Sequence, residues 1–413
     1  MSIEQIDTLV IGGGQAGLAM SAHLRDQGVS HLVLERHRIA ERWRSERWDS
    51  LVANGPAWHD RFPPLEFTAV DVTDEAFPTK ERVVAYFEKF AKRIDAPIRC
   101  GVEVTSVVKR PGGGFRAETS DGVIDAQNVV AATGPFQVPV IPTVVPDVPG
   151  LTQMHSTGYR NPDQLTEGAV LVVGAGSSGA QIADELLRAG RQVYLSVGAH
   201  DRPPRRYRGQ DYCWWLGVLG IWGMKTPPEG RDHIAISVSG AHGGHTVDFR
   251  ELAARGLHLV GMTQDHSNGV LHFAPDLADN IRQGDADYLS VLDQADAYAM
   301  REGLDLPPDP EARKIGPDPD CMTNPTLDLN LAEAGISTII WATGFKQDFS
   351  WLKVDAFENG QPAHHRGVST EPGVYFLGLP WLSMRGSSFI WGVWVDAEYL
   401  AKQIAARQQS DVA

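Results

Sequence analysis

Two stretches of this chain repeat one design. Thr8-Leu9-Val10-Ile11 runs into Gly12-Gly13-Gly14-Gln15-Ala16-Gly17, and Ala169-Val170-Leu171-Val172-Val173 runs into Gly174-Ala175-Gly176-Ser177-Ser178-Gly179. Each is a short apolar run, read as a buried parallel strand, followed by G-x-G-x-x-G and a segment of helical character. In that setting the glycines allow a tight turn, close backbone approach to a pyrophosphate, and packing of the helix against the strand. One such turn is a common feature. Two in the same context point to an α/β chain with two Rossmann-like dinucleotide-binding domains, and two dinucleotides on one protein usually means a flavin and a nicotinamide.

The residues beyond each turn refine this reading. A second strand, His31 to Leu34, ends in Glu35, about 20 residues past the first turn, where an acidic side chain accepts hydrogen bonds from ribose hydroxyls. Glu35 and the adjacent Arg36 are therefore placed at FAD, with Trp43 stacking nearby; a solvated strand end and a core tryptophan are the alternatives. The second unit's strand, Gln192 to Ser196, ends without an acid. Arg202, Arg205, Arg206 and Arg208 follow in a Pro-Pro loop. An arginine accommodates the 2′-phosphate of NADPH, so Ser196, Arg205 and Arg206 are assigned there. NADH stays open, and a solvated arginine loop is the alternative for any one of these residues.

Prolines at 135, 139, 142, 146 and 149 mark a crossover between domains. Two apolar strands ending in Ala-Thr-Gly, at Thr133-Gly134 and Thr343-Gly344, lie near such crossings. The expected organisation is an FAD domain in two pieces, 1–150 and 336–413, with an NAD(P)H domain, 151–335, inserted between them. Helices are expected at Gln15–Gln27, Lys80–Arg93, Ser178–Ala189, Asp276–Ile281, around Leu289–Arg301, and from Asp396 to about Arg407. Residues 41–67 read as irregular, and 200–330 are the least legible.

Charge and cysteine content exclude several classes. The 413 residues carry 37 basic and 52 acidic side chains, a net charge of −15, which argues against a nucleic-acid surface or attraction to anionic lipid. No apolar run approaches the roughly 20 residues that cross a bilayer. The longest, Cys213 to Trp222, reads as a buried helix or loop over a cavity, with a channel wall, a membrane-dipping segment or, for Trp214–Trp222, a homodimer interface as alternatives. Cys100, Cys213 and Cys321 are far apart with no C-x-x-C, so a reducing cytoplasm is expected and dithiol chemistry is not. No metal pattern stands out: His242-Gly243-Gly244-His245 reads as a flexible loop and His364-His365 as a solvated turn.

Four further segments carry a family resemblance: His155-Ser156-x-x-Tyr159-Arg160, the strand end Trp341-Ala342-Thr343-Gly344-Phe345, the strand Gly373 to Pro380, and Asn54 in Leu51-Val52-Ala53-Asn54-Gly55-Pro56. Together with the paired turns they resemble the flavin-containing monooxygenases, class B flavoproteins with two dinucleotide-binding domains. The match to the family's F-x-G-x-x-x-H-x-x-x-Y/F signature is incomplete: Val148 replaces the phenylalanine, and one extra residue separates Gly150 from His155. Related disulfide reductases usually end the last strand in Gly-Asp, whereas this chain has Gly378-Leu379.

The resemblance implies FAD and NADPH as cofactors. It also implies a C4a-(hydro)peroxyflavin that transfers one oxygen atom of dioxygen to a small organic substrate, by N- or S-oxygenation or Baeyer-Villiger-type oxidation. It places Asn54 beside the flavin ring; a turn asparagine before Gly-Pro is the alternative. Trp58 and His59 are candidate substrate contacts, with core packing and a loop histidine as alternatives. A flavin reductase or oxidase serving a quinone, a protein or dioxygen stays open, as does a non-catalytic redox flavoprotein.

Overall fold

The computed structural model describes residues 3–227 and 235–412. Its first sheet is built on β1 (Glu4–Ile11), which lies between β2 (His31–Glu35) and β6 (Gly122–Ala131), parallel to both. Outside β2 lies β3 (Ile98–Cys100), and the antiparallel pair β4 (Val104–Lys109) and β5 (Phe115–Thr119) continues from β6. β1 is apolar and buried over its last residues because the sheet is covered on both faces. Helix α1 (Gln15–Asp26) leaves directly from the first glycine turn, and α2 (Glu41–Ser45) is a short helix inside the segment expected to be irregular. Helix α3 (Lys80–Arg93) spans the expected residues, with Thr79 accepting from the Arg82 N–H as its N-cap. Its Val83, Val84, Phe87 and Phe90 lie in the main core.

The chain then crosses to a second, five-stranded, all-parallel sheet, ordered His258–Val260, β10 (Val193–Ser196), β9 (Ala169–Val173), Ile336–Trp341 and β8 (Thr152–His155); the two-residue β7 (Val138–Pro139) lies in the crossover. Helix α4 (Ser177–Arg188) follows the second glycine turn as α1 follows the first. The strand Ile336–Trp341 was expected to open the returning piece of the first domain, but it pairs with β9 and β8. The boundary therefore falls beyond Trp341 rather than at 335. The chain rejoins the first sheet at Leu352–Lys353, parallel to β4, adds Val374–Phe376, parallel to β6, and ends in α8 (Ile390–Val412), which packs on α1.

Other elements depart from expectation. Tyr212–Val218 forms helix α5 and Phe249–Ala254 forms α6, while Leu277–Glu302 is one continuous helix, α7, not two. Its interior Gly284 lets the helix lie against His200, whose ring would meet any added Cβ. The next residue, Asp285, is buried and paired with Arg202 and Arg250. The final helix begins at Ile390, six residues before the expected Asp396. His364-His365 is no turn: it pairs antiparallel with Val368–Ser369 as one arm of a hairpin. Trp215 and Trp222 are buried, so the Cys213–Trp222 stretch offers these side chains to the interior rather than to a partner. None of the described helices is long and apolar enough to cross a membrane.

Candidate functional site

Both glycine turns open on a single cavity of about 1110 Å³, above the range usual for one small ligand. Gly12, Gly14, Gln15 and Ala16 border it from the first turn, and Gly176, Ser177 and Ser178 from the second. The backbone reasons for glycine are direct. Gly12 and Gly174 hold φ of +118° and +107°, and a Cβ on Gly17 or Gly179 would collide with the carbonyl oxygen of Gly12 or Gly174. Gly17, Gly174 and Gly179 therefore shape the turns without bordering the cavity.

Neither helix that starts here has a side-chain cap; Gly14 and Gly176 occupy the N-cap positions. The first-turn N–H groups of α1 and α4 thus lack the capping partner a side chain normally supplies, and they sit at the positive end of each helix. Two uncapped, glycine-bared helix starts on one cavity fit the pyrophosphates of two dinucleotides. At the first turn Glu35 accepts from the Gly13 N–H at 2.7 Å and the His37 N–H at 2.9 Å, and it borders the cavity with Arg36 and Trp43. Thr133, Gly134 and Gly344 border it where the chain crosses between sheets. Thr343 does not; its hydroxyl donates to the Val140 carbonyl.

Asn54 borders the cavity with its main chain and side chain both held. Arg205 Nη1 donates to its carbonyl at 2.6 Å, and Gln181 Nε2 donates to its Oδ1 at 2.8 Å. His59 also borders the cavity and is bonded through Nδ1 to Asp60 at 2.8 Å, while Asp60 accepts from the Gly55 N–H. His59 lies 5.6 Å from Trp222 and 5.3 Å from Trp391, centroid to centroid, so this end of the site is aromatic. Trp58 falls outside the lining and packs in the small core beneath.

The second-unit assignments require correction. Arg205 is buried, makes a two-pronged ion pair with Asp211 (Nη2–Oδ1 2.6 Å, Nε–Oδ2 3.0 Å), and lies over the rings of Phe77 and Tyr212. Its charge is neutralised internally, so it is not a phosphate ligand. Arg206 is exposed, off the cavity, and donates to the carbonyls of Gly243 and Gly244. Ser196 is buried; its hydroxyl donates to Gly261 O and accepts from Thr263, tying the strand end to the next loop. Arg202 and Arg208 pair with Asp285 and Asp296.

Sequence reasoning passed over two cavity residues. Gln181, one turn into α4, is the first. The other is Arg47, which has no carboxylate partner among the described residues and lies near the rings of Trp43 and Phe136. Desolvation pulls its guanidinium down to about 10. Its neighbour Glu46 pairs with Arg42 instead. Only folding distinguishes Arg47 from the other arginines of the 42–47 run.

The His155–Arg160 segment is a bracket between the two units. The Thr157 N–H donates to His155 Nδ1, so Nε2 carries the ring proton and donates to Gly344 O at 3.0 Å. Tyr159 donates to Glu185 at 2.8 Å, and Arg160 donates to Ser45 O while its own carbonyl accepts from the Asp49 N–H. Burial lowers His155 and raises Tyr159, so both stay neutral. The motif thus holds the 45–49 segment, and with it the cavity wall, against the second sheet.

Comparison with known proteins agrees with this geometry. The family model described as pyridine nucleotide-disulphide oxidoreductase matches residues 9–216. An uncharacterised oxidoreductase, CzcO-like, of Geobacillus kaustophilus is 34% identical over 404 residues, 97% of this chain and 98% of that one. The indole-3-pyruvate monooxygenase YUCCA1 of Oryza sativa is 33% identical over 46% of this chain and 47% of its own. The solved flavin-containing monooxygenase of Stenotrophomonas maltophilia superposes with a TM-score of 0.67 over 98% of this chain and 99% of that one, at 20% identity, a likeness of fold.

Proposed function

The chain belongs to the pyridine nucleotide-disulphide oxidoreductase family, and we propose that within it the protein is an FAD-dependent, NAD(P)H-consuming monooxygenase. The proposed reaction gives one oxygen atom of dioxygen to a small organic substrate, an amine, a sulfide or a ketone. The observation that carries this reading is the continuity of one cavity between two uncapped glycine turns, which leaves room for two dinucleotides within reach of each other. The relative named as a monooxygenase, matched over about half of each chain, supports the same choice. Disulfide chemistry finds no support in the cysteines. They are free, and Cys213, which borders the cavity, has its thiol pushed well up by burial and so kept from the reactive thiolate.

Bound FAD would supply the redox chemistry, accepting hydride and activating dioxygen. The protein's part is to bind, orient and keep out water. The N–H groups opening α1 and α4 would hold the pyrophosphates, and Glu35, which holds the first turn in shape, would accept from the ribose. Asn54 offers an amide donor. The aromatic end formed by His59 and Trp222, backed by Trp391, would keep solvent from the reacting region and so limit unproductive loss of oxygen as peroxide.

The test supplies the FAD-loaded protein with NADPH, isotopically labelled dioxygen and three probes: a thioether, a tertiary amine and a cyclic ketone. The expected result is one labelled oxygen in at least one product, with NADPH consumption matching product. NADPH oxidation that returns all dioxygen as hydrogen peroxide with every probe would instead establish a reductase or oxidase.

A further inference from the structure

Gln181 stands one turn into α4, on the unit that carries the second glycine turn, yet its side chain serves the other unit. Its amide nitrogen donates to Val238 O at 2.7 Å and to Asn54 Oδ1 at 2.8 Å. These two bonds fix both amide orientations by chemistry. A backbone carbonyl only accepts, so the Gln181 atom beside Val238 is its NH2 group. The second hydrogen of that group needs an oxygen, so the Asn54 atom beside it is Oδ1. The Asn54 NH2 group is thereby the free end. It meets no acceptor among the described residues, and Asn54 borders the cavity.

The hold on Asn54 comes entirely from the second unit. Arg205, itself fixed by Asp211, takes the main-chain carbonyl, and Gln181 takes the side chain. Gln181 also borders a smaller cavity of about 350 Å³ on its other side. Packing there leaves space, so the two hydrogen bonds select the Gln181 rotamer. An asparagine amide without such a partner turns freely and presents oxygen as readily as nitrogen. A locked donor loses no freedom when its acceptor arrives.

We propose that Gln181 is a positioning residue that locks Asn54 with its NH2 donor presented to the cavity, toward an electron-rich nitrogen or oxygen of the flavin ring. The inference rests on the reading of this cavity as the FAD site. It gives α4 a second role, because the helix that opens at the nicotinamide phosphate turn also aims a donor at the other cofactor.

The test is a double-variant cycle on the full chain loaded with FAD. Gln181→Met keeps the side-chain length and removes both hydrogen bonds; Gln181→Glu substitutes an acceptor and drives Asn54 to reverse. The readouts are the midpoint potential and visible absorption spectrum of bound FAD, which need no turnover. A donor on the ring favours its electron-rich reduced form. Asn54→Ala is therefore expected to shift the reduced-to-oxidised equilibrium about tenfold toward oxidised, the worth of one ordinary hydrogen bond. Gln181→Met shifts it the same way, Gln181→Glu at least as far, and Gln181→Met with Asn54→Ala no further than Asn54→Ala alone.

Additive shifts, or an unshifted Gln181→Met beside a shifted Asn54→Ala, would overturn the role of Gln181 and leave the FAD site standing. An unshifted Asn54→Ala overturns the proposal at its premise. Failure to oxygenate any probe substrate strikes only the proposed activity. Each variant is first checked for FAD content and thermal unfolding, and if Gln181→Glu does not fold, the cycle with Gln181→Met decides.

Discussion

Arg205 and Ser196 show what a linear reading of a strand end can miss at the scale of single residues. Their spacing after the second glycine turn is the spacing of phosphate ligands, and that much is legible. What decides their use is a partner that spacing does not reveal: Asp211 for one, Gly261 and Thr263 for the other. Arg205→Ala is therefore expected to leave the ratio of NADPH to NADH efficiency unchanged. It should instead destabilise the fold by about 3–5 kcal/mol, because Asp211 is left as a buried charge without its counter-ion. Urea unfolding and paired kcat/KM measurements with the two nucleotides separate these outcomes, and a tenfold change in preference would restore the phosphate role. Gln181 and Arg47 were illegible for the opposite reason. Nothing near them in sequence marks them, and only the approach of two distant segments gives one an asparagine to hold and leaves the other without a carboxylate.

At the scale of elements, legibility followed the strength of the local pattern. Helix α3 carries an N-cap threonine and an apolar stripe that needs no tertiary context, and its bounds coincide with the expected ones. Helix α7 was divided because its glycine and polar residues face a buried neighbour, and the pairing of Asp285 with two arginines cannot be inferred from periodicity. The glycine turns are the extreme case, since both are specified by backbone collisions that any side chain would create. A matched pair of variants follows from this. Gly17→Ala forces α1 away from Gly12 and should yield protein that retains little FAD. Gly179→Ala does the same to α4 and Gly174, and should keep FAD while slowing its reduction by NADPH at least about tenfold, a barrier change of about 1.4 kcal/mol. FAD absorbance per chain and the reduction rate read the two effects. Equal loss of FAD in both variants would show that the turns do not divide the cofactors between them.

At the scale of the whole molecule, the discontinuous architecture was legible because the chain announces each crossing with prolines or Ala-Thr-Gly. The position of Ile336–Trp341 was not, since a buried apolar strand looks alike in either sheet. Buried histidines, one in each unit and one in the bracket between them, shape the pH response. His155, His200 and His23 are all lowered from the ordinary histidine value, first of all by burial. Among the described residues His200 Nε2 and His23 Nε2 meet no hydrogen-bond partner, so a proton added there would be buried without an acceptor. In the unfolded chain each takes up a proton near pH 6.5, while in the folded protein it does so only at lower pH. The unfolded state therefore binds more protons in that window, and stability is lost as pH falls below about 6.5, by up to about 1.4 kcal/mol per pH unit for each histidine. Carboxylates such as Asp49 and Asp125, held below their usual range by hydrogen bonds from Asn161 and Arg116, add their loss only below about pH 4–5. His155→Gln isolates the bracket. Glutamine can still donate to Gly344 O but takes up no proton, so the unfolding free energy of this variant should fall less steeply between about pH 6.5 and pH 5 than that of the parent, by up to one proton's worth of slope. Parallel slopes would mean that His155 takes up its proton equally in the folded and unfolded chain, so that burial in the bracket does not oppose its charge.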